Sequence, residues 1–434
     1  MALYFCTMLI SSYPQTVEFL YQNLPMYQRV GAVAYKADLT NTIQLCEALG
    51  NPHYKFKNIH VAGTNGKGSS SHMLAAVLQC AGYKTGLYTS PHLKNFTERI
   101  RINGQEIDQA FVVDFVNRIQ SSIDKIQPSF FEITVAMAFD YFARQKVDIA
   151  VVEVGLGGRL DSTNVITPLV SLITNISWDH MNLLGDTLPK IAFEKAGIIK
   201  KEVPVVISET QDSIKEVFVQ KSKSESSSIV FADKKYEVVG EGYGKFQVTD
   251  DKVTSTYELD LKGIYQQKNL AGVLATLDEL KNLGFKITDE ATEKGLSNTT
   301  TLTGLKGRWQ KLKDNPLTIC DTGHNEAGVI EILKQIKAQK FEKLFMVWGM
   351  VNDKDVSKIL SILPSSAYYF FCQANIPRAM DANELFLKAQ AAGLRGEVIL
   401  NVNNAICQAN ERATQKDMIF IGGSTFVVAE IENL

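Results

Sequence analysis

Apolar runs of strand length alternate with helical patterns from about residue 57 onward. The runs stand at 58–62, 84–90, 147–155, 169–176 and 203–208, and helical patterns lie between several of them. Such alternation is typical of parallel strands connected by helices. We therefore expect an α/β fold with a mostly parallel sheet and helices on both of its faces. No other feature of the sequence restricts the architecture as strongly.

The pattern changes twice along the chain. Residues 229–264 contain short β-rich stretches separated by turns, which predict a small insert of antiparallel strands. A polar, glycine-containing segment at 299–310 precedes a second alternation of strands and helices. We therefore predict two domains, at 1–302 and 303–434, of which the second is smaller and Rossmann-like.

The sequence HVAGTNGKGSSSH at 60–72 lies between a predicted strand and a predicted helix. It departs from the common phosphate loop G-x-x-x-x-G-K-[ST], because Val61 takes the first glycine position and Gly68 separates Lys67 from Ser69. Glycines let backbone N–H groups turn inward, and a helix N-terminus adds partial positive charge, so the segment suits phosphate. An ordinary tight turn is the alternative. We favour a P-loop-type first domain.

Polar residues also stand at the ends of three other predicted strands. These residues are Ser90, Glu153 and His180. The carboxyl ends of parallel strands meet at one edge of a sheet, where ligands bind. A hydroxyl and a carboxylate there suit Mg²⁺, and a buried carboxylate is costly unless it is paired or bound to metal. The alternatives are a turn serine, a satisfied structural acid and a structural histidine.

Further candidates lie in the loop GLGGRLDSTN at 155–164, which looks like a substrate lid, and in later segments. Lys195 interrupts an otherwise apolar helix, where a lysine that snorkels to solvent is the alternative. At the domain junction, Arg308 can reach across to phosphate. Asp321, at a strand end, can hold a ribose or a phosphate-bound water.

Charge and hydropathy exclude several classes of protein. The net charge of −2 gives no indication of a nucleic-acid footprint, which would show as a basic domain or stripe. No run reaches the roughly 18 apolar residues that a membrane helix needs. The opening MALYFCTMLI lacks the basic region and the cleavage site of a signal peptide. We therefore expect a cytoplasmic protein with no nucleic-acid or membrane partner.

Taken together, the motifs resemble one family. The strings GTNGKGS, TSPHL, EVGLGGRLDSTN, DH, EKAGI, GRWQ, DTGHN, GMVNDKD and GGSTF occur in the family's order from about residue 15 to the end. The chain is similar to the folylpolyglutamate synthase / dihydrofolate synthase family of Mur-type ATP-dependent amide ligases. The resemblance implies that a pteroate or folate carboxylate attacks ATP to give an acyl phosphate, which the amine of L-glutamate displaces. We predict a bifunctional monomer that accepts both dihydropteroate and reduced folates.

The same resemblance assigns site residues. It implies catalytic roles for Lys67, Lys195 and His180, and a carbamate formed from CO₂ on Lys195. It places Mg²⁺, as two ions, at Ser90, Glu153 and His180. The implied ATP contacts are Gly63, Thr64, Asn65, Gly66, Lys67, Gly68, Ser69, Asn269, Arg308, Asp321 and His324. The implied pteroate contacts are Asp38, Leu39, Ser129, Phe130, Phe131, Glu132, Leu160, Asp161 and Ser162.

Two other functions compete with this interpretation. A cell-wall Mur ligase uses the same chemistry on a different acceptor, but the loop at residue 63 leaves little chain for an additional domain that binds the UDP-sugar. A regulatory P-loop NTPase switch, from another class of protein, needs an NKxD motif, which the sequence lacks. Its only DxxG string, DLKG at 260–263, stands far from the loop.

Overall fold

Three β-sheets hold the strands of the computed structural model, which describes residues 10–26, 38–251, 253–352 and 355–434. The strands of the first sheet are β1 (Lys57–Ala62), β2 (Thr85–Tyr88), β3 (Ile100–Ile102), β4 (Gln105–Glu106), β5 (Ile149–Glu153), β6 (Val170–Ile173), β7 (Val205–Ile207) and β8 (Ile229–Phe231). They lie in the order β4-β3-β2-β5-β1-β6-β7-β8. All neighbours pair in parallel except β2 with β3 and β3 with β4. The predicted, mostly parallel first sheet is confirmed.

A small antiparallel sheet follows, formed by β9 (Tyr236–Gly242), β10 (Lys245–Asp250) and β11 (Val253–Glu258). The predicted β-rich insert is therefore present, but the prediction that it begins at residue 229 is wrong. Residues 229–231 form β8, which pairs in parallel with β7 at the edge of the large sheet. A run of three apolar residues carries no periodicity, so the sequence does not show which strand it pairs with.

The third sheet confirms the predicted second α/β unit. Its strands are β12 (Gln310–Lys313), β13 (Leu317–Cys320), β14 (Leu344–Trp348), β15 (Tyr368–Phe371), β16 (Arg395–Val398) and β17 (Met418–Gly422). They lie in the order β12-β13-β17-β14-β15-β16, and all neighbours are parallel except β12 with β13. The two edge strands, β12 and β16, were not predicted, because their residues are mostly polar and form no apolar run. The division at 302/303 stays a prediction.

Helices cover both faces of the first sheet. They are α1 (Tyr13–Asn23), α2 (Thr40–Ala48), α3 (Lys67–Cys80), α4 (Gln109–Ile126), α5 (Phe130–Arg144), α6 (Met181–Leu184), α7 (Leu188–Ala196), α8 (Lys215–Ser224), α9 (Ala232–Lys235), α10 (Gln266–Asn282), α11 (Asp289–Ser297) and α12 (Thr299–Thr303). Those around the third sheet are α13 (Glu326–Lys337), α14 (Val356–Ile362), α15 (Ala382–Ala391), α16 (Val402–Arg412) and α17 (Thr425–Ala429). Alternate residues of β5 enter different apolar cores: Val151 packs with α3 and α10, whereas Val152 packs with α4 and α5. No described helix is long and apolar enough to cross a membrane.

The order of the strands decides where functional groups meet. β1 lies at the centre of the first sheet, between β5 and β6. In register, Val61 pairs with Glu153 of β5 and Ala62 pairs with Ile173 of β6. The loops that follow these three strands therefore leave the same edge of the sheet side by side.

Candidate active site

The loop after β1, residues 63–66, which we call the phosphate loop, turns at two positions that only glycine suits. Gly63 and Gly66 have φ angles of +145° and +89°. A Cβ atom on Gly63 would lie 1.8 Å from Thr174 Oγ1, and one on Gly66 would lie 2.2 Å from Asn269 Oδ1. Both distances are far inside van der Waals contact, so any side chain there would displace the loop. The two glycines let the backbone pack closely against the end of β6 and against α10.

Hydrogen bonds to the segment after β6 hold this loop. Thr64 N donates to the backbone oxygen of Asn175 (2.8 Å), and Asn65 N donates to its side-chain Oδ1 (3.0 Å). Lys67 Nζ folds back over the loop and donates to the carbonyl oxygens of Gly63 (3.1 Å) and Thr64 (3.2 Å). Because α3 begins at Lys67, a helix N-terminus and a full positive charge stand together. This arrangement suits a phosphate chain.

Two cavities meet at Lys67. The first has a volume of about 260 Å³, and the second has a volume of about 420 Å³. Six residues line both cavities, and we call them the shared wall: Thr64, Lys67, Ser90, Pro91, His324 and Thr425. The two cavities therefore adjoin along these six residues.

Glu153 ends β5 beside the phosphate loop. It is 4% exposed, and Ser90 N donates to its Oε2 (3.2 Å). Burial raises the pKa of this carboxyl group, against the opposing charges of Lys67 and Arg308. Within the described part of the chain, Glu153 forms no salt bridge. A buried carboxylate next to a serine fits one hard divalent cation, with water completing its ligands.

His180 does not share a cavity with Glu153. His180 lines the first cavity only, Glu153 lines the second only, and Ser90 belongs to the shared wall between them. His180 N donates to Asp179 Oδ1 (2.9 Å). The described ranges contain no cluster of three or more His, Cys, Asp or Glu side chains arranged to hold a metal. Ser90 and Glu153 therefore adjoin in the second cavity, and both predicted ions, the one at these two residues and the one at His180, stay predictions.

Lys195 is buried in α7 and faces the phosphate loop. The residue is 4% exposed, and its Nζ donates a hydrogen bond to the carbonyl oxygen of Gly63 (2.8 Å). Burial and the nearby charge of Lys67 lower the pKa of this amine to about 7, although Asp179 and Asp161 oppose the shift. A lysine in this position does not snorkel to solvent. Its amine is partly neutral at neutral pH, the form that reacts with CO₂, so the residue fits the predicted carbamate.

Two predicted ATP contacts approach the phosphate loop from different directions. Asn269 comes from α10 and touches the loop at Gly66. Arg308 comes from the segment before β12, and its Nη2 lies 3.4 Å from the position that a Cβ atom on Gly68 would take. All four residues line the second cavity. The predicted cation of the domain junction therefore stands beside the loop.

Asp321 and His324 close the second cavity from the third sheet. Asp321 follows β13 and accepts hydrogen bonds from the Tyr265 hydroxyl (2.5 Å) and from Trp309 N (2.7 Å). Burial raises the pKa of this carboxyl, and the Tyr265 hydrogen bond opposes that shift. His324 Nδ1 lies 3.0 Å from the carbonyl oxygen of Thr322, which fixes the ring at the shared wall.

Most predicted pteroate contacts line the first cavity: Ser129, Phe130, Phe131, Glu132, Leu160, Asp161 and Ser162. Ser129 and Glu132 form a capping box at the start of α5, in which Ser129 N donates to Glu132 Oε2 (2.6 Å) and Glu132 N donates to Ser129 Oγ (3.3 Å). The Phe131 ring packs on Gly155, where an added Cβ would lie 2.3 Å from its Cζ. The ring is thus held as a flat wall on which an aromatic ligand can stack.

Asp161 is largely occupied by its own loop. Its Oδ1 accepts from Thr163 N (3.0 Å) and Thr163 Oγ1 (2.5 Å), and its Oδ2 accepts from Leu156 N (2.8 Å). These bonds show that the carboxylate orders the loop that lines the first cavity. Asp38 and Leu39, by contrast, line neither of the two cavities as they are described. Their contact with a substrate stays a prediction.

Three residues of this site were missed by the sequence analysis. Arg99 is 3% exposed, lines the first cavity and lies 5.2 Å above the Phe130 ring. Asp179 lines the same cavity, and Asn325 connects the third sheet to the phosphate loop. Asp179 and Asn325 lie in the quoted strings DH and DTGHN, which were the available signal, but neither residue was assigned a role. Nothing in the sequence alone distinguished Arg99.

Comparison with known proteins assigns both halves of the chain. The Mur ligase middle domain matches residues 61–277, and the Mur ligase glutamate ligase domain matches residues 307–425. The dihydrofolate synthase/folylpolyglutamate synthase of Bacillus subtilis is 32% identical over 414 residues, which cover 91% of this chain and 94% of that protein.

Solved structures agree with these matches. FolC of Escherichia coli in complex with DHPP and ADP is 27% identical and has a TM-score of 0.87, with 98% of this chain and 97% of that chain covered. A bifunctional folylpolyglutamate synthase/dihydrofolate synthase with Mn, AMPPNP and L-glutamate bound is also 27% identical, with a TM-score of 0.83 and 98% of each chain covered. On these grounds the chain belongs to the folylpolyglutamate synthase / dihydrofolate synthase family of Mur-type ligases.

Proposed function

We propose that this protein is an ATP-dependent ligase that joins the carboxylate of a pteroate or folate to the amine of L-glutamate. The observation that carries the proposal is the shared wall, because it brings a phosphate loop and an aromatic-walled cavity to the two sides of Lys67. The similar structures bind DHPP and ADP, or Mn, AMPPNP and L-glutamate. We infer that ATP takes the second cavity and that the pteroate takes the first.

The reaction then takes place at the shared wall. A carboxylate oxygen of the pteroate attacks the γ-phosphorus of ATP, the bond to the bridging oxygen breaks, and ADP leaves. The amine of glutamate attacks the acyl carbon, inorganic phosphate departs with the electron pair of the C–O bond, and the amine loses a proton. Lys67 and Arg308 offset the negative charge that develops on the transferred phosphoryl group. Both steps depend mainly on positioning, which the loop and the two cavities supply.

A divalent cation would be held by Ser90 and Glu153. When bound, it neutralises phosphate charge, which is the chemistry that Mg²⁺ supplies to ATP-dependent transfers. Glu153 retains an oxygen for such an ion because the only hydrogen bond described for its side chain is the one from Ser90 N to Oε2. The identity of the ion as Mg²⁺ and the presence of a second ion are parts of this proposal.

We further propose that the enzyme has both activities of the family. The purified chain is incubated with ATP, Mg²⁺ and L-glutamate, with dihydropteroate or tetrahydrofolate as acceptor, and ADP release is followed together with the mass of the product. Turnover of both acceptors is expected. If only dihydropteroate fails to react, the proposed dihydrofolate synthase activity is contradicted. If neither acceptor reacts, the proposed function is contradicted. A UDP-linked peptide acceptor serves as the control for a cell-wall ligase.

The remaining expectations from the sequence form part of the same proposal. They are the division into units of 1–302 and 303–434, a monomeric state and a cytoplasmic location. Gel filtration of the purified chain with light scattering tests the oligomeric state directly. A mass twice that of the 48.2 kDa chain would contradict the monomer.

A further inference from the structure

The Asn325 side chain has every hydrogen-bonding position occupied. It is 4% exposed and forms the N-cap of α13, where its Oδ1 accepts from Gly328 N (2.9 Å). The same oxygen accepts from Asn65 Nδ2 (3.2 Å). Its Nδ2 donates to Asn65 Oδ1 (3.0 Å) and to Asp179 Oδ2 (3.2 Å). A primary amide has two acceptor positions and two donor hydrogens, so all four are used.

These contacts join three separate parts of the site. Asn325 belongs to the third sheet's unit, Asn65 lies in the phosphate loop, and Asp179 lines the first cavity. We call this set of three residues the amide bridge. The Asn65–Asn325 pair is reciprocal, with each amide both donating and accepting, and it spans 260 positions of sequence.

Each end of the amide bridge lines one of the two cavities, Asn65 the second and Asp179 the first. The carbonyl oxygen of Asn65 accepts from Thr174 Oγ1 (2.6 Å), so a shift of Asn65 moves the loop against β6. At the other end, Asp179 Oδ2 also lies 3.6 Å from His324 Nε2, and its charge acts on the Lys195 amine. A displacement of Asn325 would therefore shift residues that line both cavities.

We propose that Asn325 is a positioning residue that couples the seating of the C-terminal unit to the geometry of the phosphate loop and of Asp179. The inference rests on the proposed function and deepens it. It identifies the hydrogen bonds through which the position of the glutamate ligase domain affects the site of phosphoryl transfer. Asn325 need not touch ATP or the acceptor to act in this way. Its influence passes through Asn65 and Asp179.

An ordinary helix cap is the competing role, and the two roles need different atoms. A cap needs only the oxygen that accepts from Gly328 N, which Asp or Ser supplies about as well as Asn. The bonds to Asn65 Oδ1 and Asp179 Oδ2 need amide hydrogens, which neither replacement has. Asn325→Asp also places a second carboxylate beside Asp179, where like charges repel each other.

The first test compares Asn325→Asp and Asn325→Ser with a matched control. Asn401 caps α16 in the same unit through a bond from Asn404 N (3.0 Å), and it lines neither cavity. We expect Asn325→Asp to lower kcat at least roughly tenfold, while Asn401→Asp leaves kcat and KM unchanged. All three variants should unfold within a few degrees of the wild type. A wild-type kcat in Asn325→Asp would overturn the proposal, as would a loss of kcat matched by the control.

The second test measures coupling between the two asparagines. Asn65→Ala and Asn325→Ser are made singly and together, and kcat and the Kd for ATP are measured. If the side chains act through one bridge, the double variant should be no slower than the slower single variant. Effects that multiply would show that the side chains act independently, and the proposal would fail.

The same data separate this proposal from the proposed function. A wild-type chain that ligates neither dihydropteroate nor tetrahydrofolate would refute the function alone. In that case the Kd for ATP still tests the amide bridge, because Asn325→Asp should weaken ATP binding through Asn65. An unchanged Kd for ATP in that case would count against the bridge.

Discussion

Lys195 should react with CO₂ at neutral pH to form a carbamate. Its pKa of about 7 means that roughly half of the amines are neutral at pH 7, whereas an ordinary lysine with a pKa of 10.5 is neutral in only about 0.03% of molecules. The reacting form is therefore more abundant by about three orders of magnitude. The neutral amine adds to the carbon of CO₂ and releases one proton, which leaves an anion in place of a cation.

The assay is ¹³C NMR of the protein equilibrated with ¹³C-labelled bicarbonate across a pH series. The wild type should show a carbamate carbonyl resonance that is absent in Lys195→Met. Lys190→Met is the matched control, because Lys190 lies in the same helix but is exposed and pairs with Asp186 (2.8 Å). That control variant should keep the resonance.

The pH dependence follows from the direction of the pKa shift. Because burial lowers the pKa of Lys195, the neutral amine persists down to about pH 7 and then disappears as the pH falls, leaving about a tenth at pH 6. The carbamate signal per unit of dissolved CO₂ should fall in parallel. A resonance that survives in Lys195→Met, or that appears only above about pH 9, would refute the reasoning from burial.

Three further substitutions test the loop and the metal site. Lys67→Ala should abolish ATP-dependent ligation while circular dichroism stays unchanged; retained activity would contradict its role at the phosphates. Gly66→Ala should lower both the unfolding midpoint and the affinity for ATP, because φ at +89° disfavours alanine by roughly 1–2 kcal/mol and the added Cβ meets Asn269 Oδ1 at 2.2 Å. Glu153→Gln should raise the Mg²⁺ concentration for half-maximal activity at least roughly tenfold, because a neutral amide binds Mg²⁺ weakly; an unchanged Mg²⁺ titration would place the ion elsewhere.

The sequence could predict the first sheet because apolar runs of strand length alternate with helical patterns. Apolar runs such as 147–155 have the length of a strand and are rich in β-branched residues, which favours a buried parallel strand over a helix. Short strands gave no such signal. The run at 229–231 was assigned to the wrong sheet, and polar edge strands such as Gln310–Lys313 were missed, because their pairing depends on tertiary contacts rather than on local pattern.

The candidate site was predictable where residues carry a motif and unpredictable where they act through distant partners. Motifs led to Lys67, Glu153 and Arg308, all of which line the second cavity. The hydrogen-bonded pairing of the Asn65 and Asn325 amides could not be predicted, because nothing in either segment specifies a partner 260 positions away. Such pairings arise only when the fold brings the segments together.

The residues common to both cavities have a consequence for ligands. A compound that fills the first cavity and one that fills the second would both lie against Lys67 and Ser90. If the two are joined by a short tetrahedral linker, binding of one half raises the effective concentration of the other to the millimolar range or above. Modest fragments for each cavity therefore combine into one tight ligand, provided that the linker passes the Lys67 amine without displacing it.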